Sequence, residues 1–165
     1  MSRNFRRLSL AQGSSLSTVG VLAGLALLVA ALRIRLFPLD VLLLLAAWFC
    51  LWFFSHDLAH HVIGRIVGVS FRYYFLGRSA ITKLSLPIVS KSLRMVPVLG
   101  LKIDKSTLKS ISPNRVRAMY ASGALSSMFL PWLVIPAGYE VGLPVGILLT
   151  LLTVANDVFT LYFST

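Results

Sequence analysis

The chain has 165 residues, of which 57% are hydrophobic and only 13% are charged, with a mean hydropathy of +0.84. A soluble domain carries about 25% charged residues, so the composition excludes an ordinary water-soluble fold and indicates a small polytopic membrane protein. The net charge of +11 does not indicate nucleic acid, because the basic residues stand between apolar spans and not in an aromatic-interleaved patch. A positive-inside loop in contact with anionic membrane lipid accounts for them more simply.

Residues 1–15 form a short basic, polar tail with Arg3, Arg6 and Arg7. A first span is expected over about 16–36, with no polar residue from Val19 to Leu32 and with Arg33 and Arg35 able to snorkel at its end. Ala30-Ala31-Leu32-Arg33 is a poor cleavage context, so the span reads as an uncleaved anchor. Gly20 and Gly24 make a small-xxx-small pair suited to a close helix neighbour. The turn Phe37-Pro38-Leu39-Asp40 leads into a second span over about 41–69, nearly thirty residues and longer than the hydrocarbon layer requires.

The loop over 70–114 is of another kind. Its start is rich in Phe, Tyr and Val, and short apolar pieces then alternate with Arg78, Lys83, Lys91, Arg94, Lys102, Lys105 and Lys109, broken by Pro87, Pro97 and Gly100. This pattern predicts short strands or a hairpin, or a membrane-surface segment, rather than a helix. A third span is expected over about 117–138, opened by Ser112-Pro113-Asn114 and bent or ended by Pro131 and Pro136. The residues Ala121-Ser122-Gly123-Ala124 and Ser126-Ser127 suit a close helix–helix approach. Gly138-Tyr139-Glu140 is a very short connection to a fourth span over about 141–163. The expected architecture is therefore all-α and polytopic, a single membrane domain over 16–165 with about four transmembrane helices.

The ionisable residues inside these spans single out one place. Ser55-His56-Asp57-Leu58-Ala59-His60-His61 lies among Trp52, Phe53, Phe54, Val62 and Ile63. Burying such groups in an apolar helix is costly, and a functional site with a partner is the default reading. On a helix His56 and His60 are one turn apart and share a face. That is how two imidazoles grip one metal ion, with Asp57 beside them as a general base. His61 stands about 100° round the helix from His60, so it reads as a residue behind the site rather than a ligand.

Lysine and arginine distribution orients the chain. Three lie in the tail and eleven between Arg65 and Arg117, whereas the first turn has two and the last none. Positive-inside then puts the tail, the long loop and both termini in the cytoplasm. It also brings His56, His60 and the Asn156-Asp157 pair to similar depth from two different helices. Of the five acidic residues, only Asp57 and Asp157 fall well inside predicted spans. Two histidines and one carboxylate leave the fourth position of a tetrahedral zinc ion open for water, as catalysis requires.

His56-Asp57-Leu58-Ala59-His60, followed by Gly64-Arg65-Ile66-Val67-Gly68-Val69, resembles the site-2 protease family of intramembrane zinc metallopeptidases. Phe75-Leu76-Gly77 in the loop, the small residues around Ser122-Gly123 and the late Asn156-Asp157 extend the similarity over about residues 40 to 163. The resemblance implies that His56, His60 and Asp157 bind Zn2+, that Asp57 activates water, and that the substrate is a peptide bond in or near a transmembrane segment of another protein. Asn156 itself reads either as a residue that orients a ligand or holds substrate backbone, or equally as a helix–helix hydrogen bond. Asp57 stands where the family has a glutamate, one methylene longer, and Val158 stands where it usually has glycine. The alternative is a non-catalytic member of the same fold that binds transmembrane clients. The first histidine box of membrane desaturases is also similar, but those di-iron sites need about eight histidines and this chain has three.

Overall fold

The computed structural model describes residues 6–78 and 97–164. Arg3 of the tail and Lys83, Pro87, Lys91 and Arg94 of the basic loop lie outside the described residues. Strand β1 (Arg6–Leu8) precedes helix α1 (Leu10–Ile34), which is followed by α2 (Leu39–Val67), β2 (Phe71–Arg78) and β3 (Pro97–Ile103). After a single turn of helix, α3 (Lys105–Leu108), come α4 (Pro113–Phe129), a 3-10 segment (Leu130–Val134), α5 (Ile135–Val141) and α6 (Leu143–Ser164). Four helical segments are long and apolar enough to cross a membrane: α1, α2, the composite Pro113–Val141, and α6. The architecture is that of an integral multi-pass membrane protein, with a small sheet between the second and third spans.

The span boundaries follow local chemistry. Helix α1 starts at Leu10, six residues earlier than its hydropathy suggests, because Ser9 and Gln12 form a reciprocal capping box. Its polar first turns therefore continue the helix rather than the tail. Ser112 takes the N-cap position of α4, without a side-chain cap hydrogen bond, and Pro113 opens the first turn, as the sequence indicates. Pro131 and Pro136 act as expected, since each lacks the N–H that an α-helix interior needs. The chain tightens to 3-10 geometry from Leu130 and resumes as α5 at Ile135. Gly138 to Glu140 stay helical, and the connection shrinks to Gly142.

Contacts between the helices set an up-down-up-down order. Gly13 of α1 lies against Tyr74, Gly20 against the Phe54 ring, and Gly24 against Cys50 and Leu51, so α1 and α2 are antiparallel with their backbones close. Gly64 meets Met119, and Ser55 meets Ser126, so α2 and α4 are also antiparallel. Gly138 touches Leu149 and Gly146, which returns α6 alongside the third span. Small residues at these crossings matter because lipid removes the hydrophobic drive for helix pairing and leaves packing and hydrogen bonds to hold the bundle. Leu44, Ala47, Trp48, Leu51, Val134 and Leu149 pack in its centre. The Trp48 indole donates to Thr153 Oγ1 at 2.9 Å, tying α2 to α6. Leu22, Val29, Leu42, Leu151 and Leu161 point outward, as lipid-facing positions should.

The sheet has the order β1-β2-β3, antiparallel throughout. The hairpin of β2 and β3 fulfils the strand pattern read from the loop. Strand β1 comes from the tail, whose composition suggested only a polar extension; Arg6 pairs with Leu76 and Leu8 with Tyr74. The Arg7 guanidinium stacks over the Tyr73 ring at 4.9 Å. Because β1 precedes α1 while β2 and β3 follow α2, the sheet lies at one end of the bundle. That end is also the histidine end of α2.

Candidate metal centre

The histidine face of α2 turns towards α4. His60 Nδ1 donates to the Met119 carbonyl at 2.7 Å, which only accepts, so this ring carries its proton on Nδ1. The Ser127 hydroxyl lies within hydrogen-bond distance of both the Ala124 carbonyl, at 3.0 Å, and His56 Nδ1, at 3.3 Å. His60 therefore presents a bare Nε2, which faces His56 Nε2 at 3.2 Å, a separation that serves a hydrogen bond when His56 carries its proton on Nε2 and a shared cation when it carries it on Nδ1. The rings themselves stand perpendicular, with centroids 4.7 Å apart. With His56 protonated on Nδ1, two lone pairs would face each other, the arrangement that a cation between or beside them relieves. Two imidazole nitrogens on one tetrahedral zinc ion, each at about 2.0–2.1 Å, are about 3.3–3.4 Å apart. The separation fits, and so does the backing of each ring by a carbonyl or hydroxyl, the usual support of metal-bound histidine.

Gly123 makes this arrangement possible. A Cβ there would land on the His60 imidazole. The small-residue cluster of the third span thus serves the site as well as the helix crossing.

Asp57 is 6% exposed and lies on the wall of a cavity of about 210 Å³ shared with His56 and His60. The opposite wall is Leu101 and Ile103 of β3 with Phe71 of β2, and Met119 and Tyr120 of α4 close the side. The Tyr74 hydroxyl donates to the Asp57 backbone carbonyl at 3.5 Å. Burial, and then the Asp57 carboxylate, push the Tyr74 phenol above its ordinary pKa, so it stays a neutral donor. The hairpin thus forms a lid of apolar side chains over the acid–histidine face.

The remaining sequence-derived residues lie nearby with other partners. Asn156 Nδ2 donates to the Ser127 carbonyl at 3.1 Å, so α6 reaches the residue whose hydroxyl supports His56. Asp157 Oδ2 accepts from the Trp132 indole at 3.0 Å, and Oδ1 accepts from Asn156 at 3.4 Å. Among the described residues, no three His, Cys, Asp or Glu side chains come together as a metal-holding group. The structure brings His56, Asp57 and His60 to one cavity and holds Asp157 outside it, on Trp132, linked to His56 through Asn156 and Ser127. His61 packs edge-on against Phe71 and Tyr74, on the sheet side of the helix.

Sequence reasoning missed the roles of Met119, Ser127 and Trp132. A backbone carbonyl leaves no sequence signal. Ser127 did carry one, a hydroxyl on an otherwise apolar helix, but it reads equally as a small packing residue. No protein-family model, curated protein or solved structure matches the chain.

Proposed function

We propose that this protein is a multi-pass membrane zinc metallopeptidase of the site-2 protease type, acting on a peptide bond in or near a transmembrane segment of a substrate protein. The observation that carries the reading is the pair of Nε2 atoms 3.2 Å apart, each ring hydrogen-bonded from behind by α4. His56 and His60 would hold the metal, with Asp157 as third ligand once its carboxylate exchanges the Trp132 indole for the histidine face. Zinc bound there would supply a Lewis acid for the scissile carbonyl and lower the pKa of a coordinated water. Asp57, in the same cavity, is placed to take the proton, and its burial among apolar side chains keeps bulk water from competing for it. Leu101, Ile103 and Phe71 offer the apolar wall against which a hydrophobic substrate segment would lie. Positive-inside charge puts the sheet end, and so the site, towards the cytoplasm.

The engagement of Asp157 by Trp132, together with the short Asp57 side chain, favours a second reading: a non-catalytic protein of the same architecture that binds transmembrane clients. Metal content of the detergent-purified protein tests the shared part. About one zinc per chain, lost in His56→Ala and in Asp157→Ala, is the expected result; a metal-free parent protein, purified without chelators in zinc-supplemented buffer, would refute the zinc site. Asp57→Glu then separates the two readings. Greatly increased cleavage of a transmembrane substrate marks a protease handicapped by the shorter acid, and unchanged inactivity favours the binder.

A further inference from the structure

A second cavity, of about 280 Å³, opens at the other end of the bundle, where α1 ends, α2 begins and α5 ends. Its floor is apolar, formed by Ala31, Leu44 and Ala137, and its walls carry Arg35, Asp40 and Glu140. Asp40 is 4% exposed. Among the described residues, its Oδ1 accepts only from the N–H of its neighbour Val41, at 2.8 Å, and no basic group lies within 4 Å of its carboxylate. A buried carboxylate of this kind calls for a cation.

Arg35 does not supply it. Its backbone takes the left-handed conformation (φ 47, ψ 43), which a side chain rarely adopts. In that conformation Nε donates to the Leu32 carbonyl at 3.2 Å and Nη2 to Glu140 at 3.4 Å. The exposed guanidinium thus lies at the rim beside Glu140, with two acids and one base round a cavity at the end of three membrane spans. A zwitterion with ammonium and phosphate on adjacent carbons matches this charge layout, and the size suits a headgroup better than a whole drug-sized ligand.

We propose that this cavity binds the phosphoethanolamine headgroup of a membrane lipid, its ammonium on Asp40 and Glu140, its phosphate on Arg35, and its acyl chains leaving along the lipid-facing side of the bundle. A primary ammonium can donate three hydrogen bonds to these carboxylates, whereas a choline headgroup can donate none.

The test titrates the full chain in detergent with short-chain phosphatidylethanolamine, phosphatidylcholine, phosphatidylglycerol and free ethanolamine, read by native mass spectrometry and by the thermal unfolding midpoint. The expected result is saturable phosphatidylethanolamine binding, about tenfold or more tighter than either other lipid, as loss of a charge-assisted hydrogen bond would give. Asp40→Asn should abolish that preference. Should Asp40→Asn fail to fold, Glu140→Gln at the exposed rim should reduce it several-fold with the fold intact. Equal binding of the three lipids, or a preference untouched by the variant that folds, overturns the proposal. Free ethanolamine binding as tightly as the lipid overturns the lipid as its source.

Discussion

Gly123→Ala is the sharpest perturbation of the histidine site, because one methyl tests its geometry without touching a ligand. The new Cβ would occupy the space of the His60 ring, which lies directly against Gly123. Either α4 retreats from α2, or the imidazole swings away and gives up its 2.7 Å bond to Met119 and its alignment with His56. Forcing a methyl into such packing costs about 1–3 kcal/mol, and the lost hydrogen bond adds about 1 kcal/mol. The expected destabilisation is therefore about 2–4 kcal/mol. If the pair holds zinc, misaligning one ligand through its support should also weaken binding by about 10–100-fold. The assays are chelator competition for zinc and unfolding in detergent. Ser110→Ala is the control, since its exposed hydroxyl bonds to Thr107 O, away from the histidine face, and should leave both readouts almost unchanged. A Gly123→Ala protein with parental stability and zinc affinity would falsify the packing of His60 against α4.

Trp132→Phe removes the indole that holds Asp157. If Asp157 is a zinc ligand, the variant should bind zinc more tightly than the parent in the same competition assay, and weaker binding would show that Trp132 supports the site rather than restrains it. Thr153→Val leaves the Trp48 indole N–H buried without its acceptor and should cost about 1–3 kcal/mol on unfolding; Trp48→Phe in the same chain should recover part of the loss. At the sheet end, hydrogen bonds from Arg72 and Ser106 hold the Asp104 carboxyl below its usual range. A depressed pKa means that the contribution is complete above an ordinary carboxyl pKa of about 3.9 and fades as pH falls through the lower folded value. Hydrogen-exchange protection at the end of β3, relative to the unstructured amide rate at each pH, should therefore fall below about pH 4 in the parent, and Asp104→Asn should remove that dependence.

The apolar lengths, the loop of strands and the two prolines were legible in the sequence because each is a local property: hydropathy over twenty residues, alternation over eight, a missing N–H at one position. The i, i+4 spacing of His56 and His60 belongs to the same kind, since a helix turns consecutive residues by a constant angle. So the four spans and the shared face of the histidines needed only the chain itself. The matching depth of α6 also followed, from charge counts, and Asn156 does meet the Ser127 support of His56.

Tertiary structure decided what no local period encodes. The tail joins the sheet because β2 offers its edge to whichever segment arrives there, and the capping box at Ser9 delivers Arg6–Leu8 to that edge. Ser127 and the Met119 carbonyl meet the two imidazoles only because α4 crosses α2 antiparallel, joining residues 71 and 59 positions apart in the chain. The Asp157 carboxylate goes to the Trp132 indole because the 3-10 segment after Pro131 sets that ring beside α6. These partners are chosen by helix crossing angles and by the room that single glycines leave, quantities that exist only once the spans have packed.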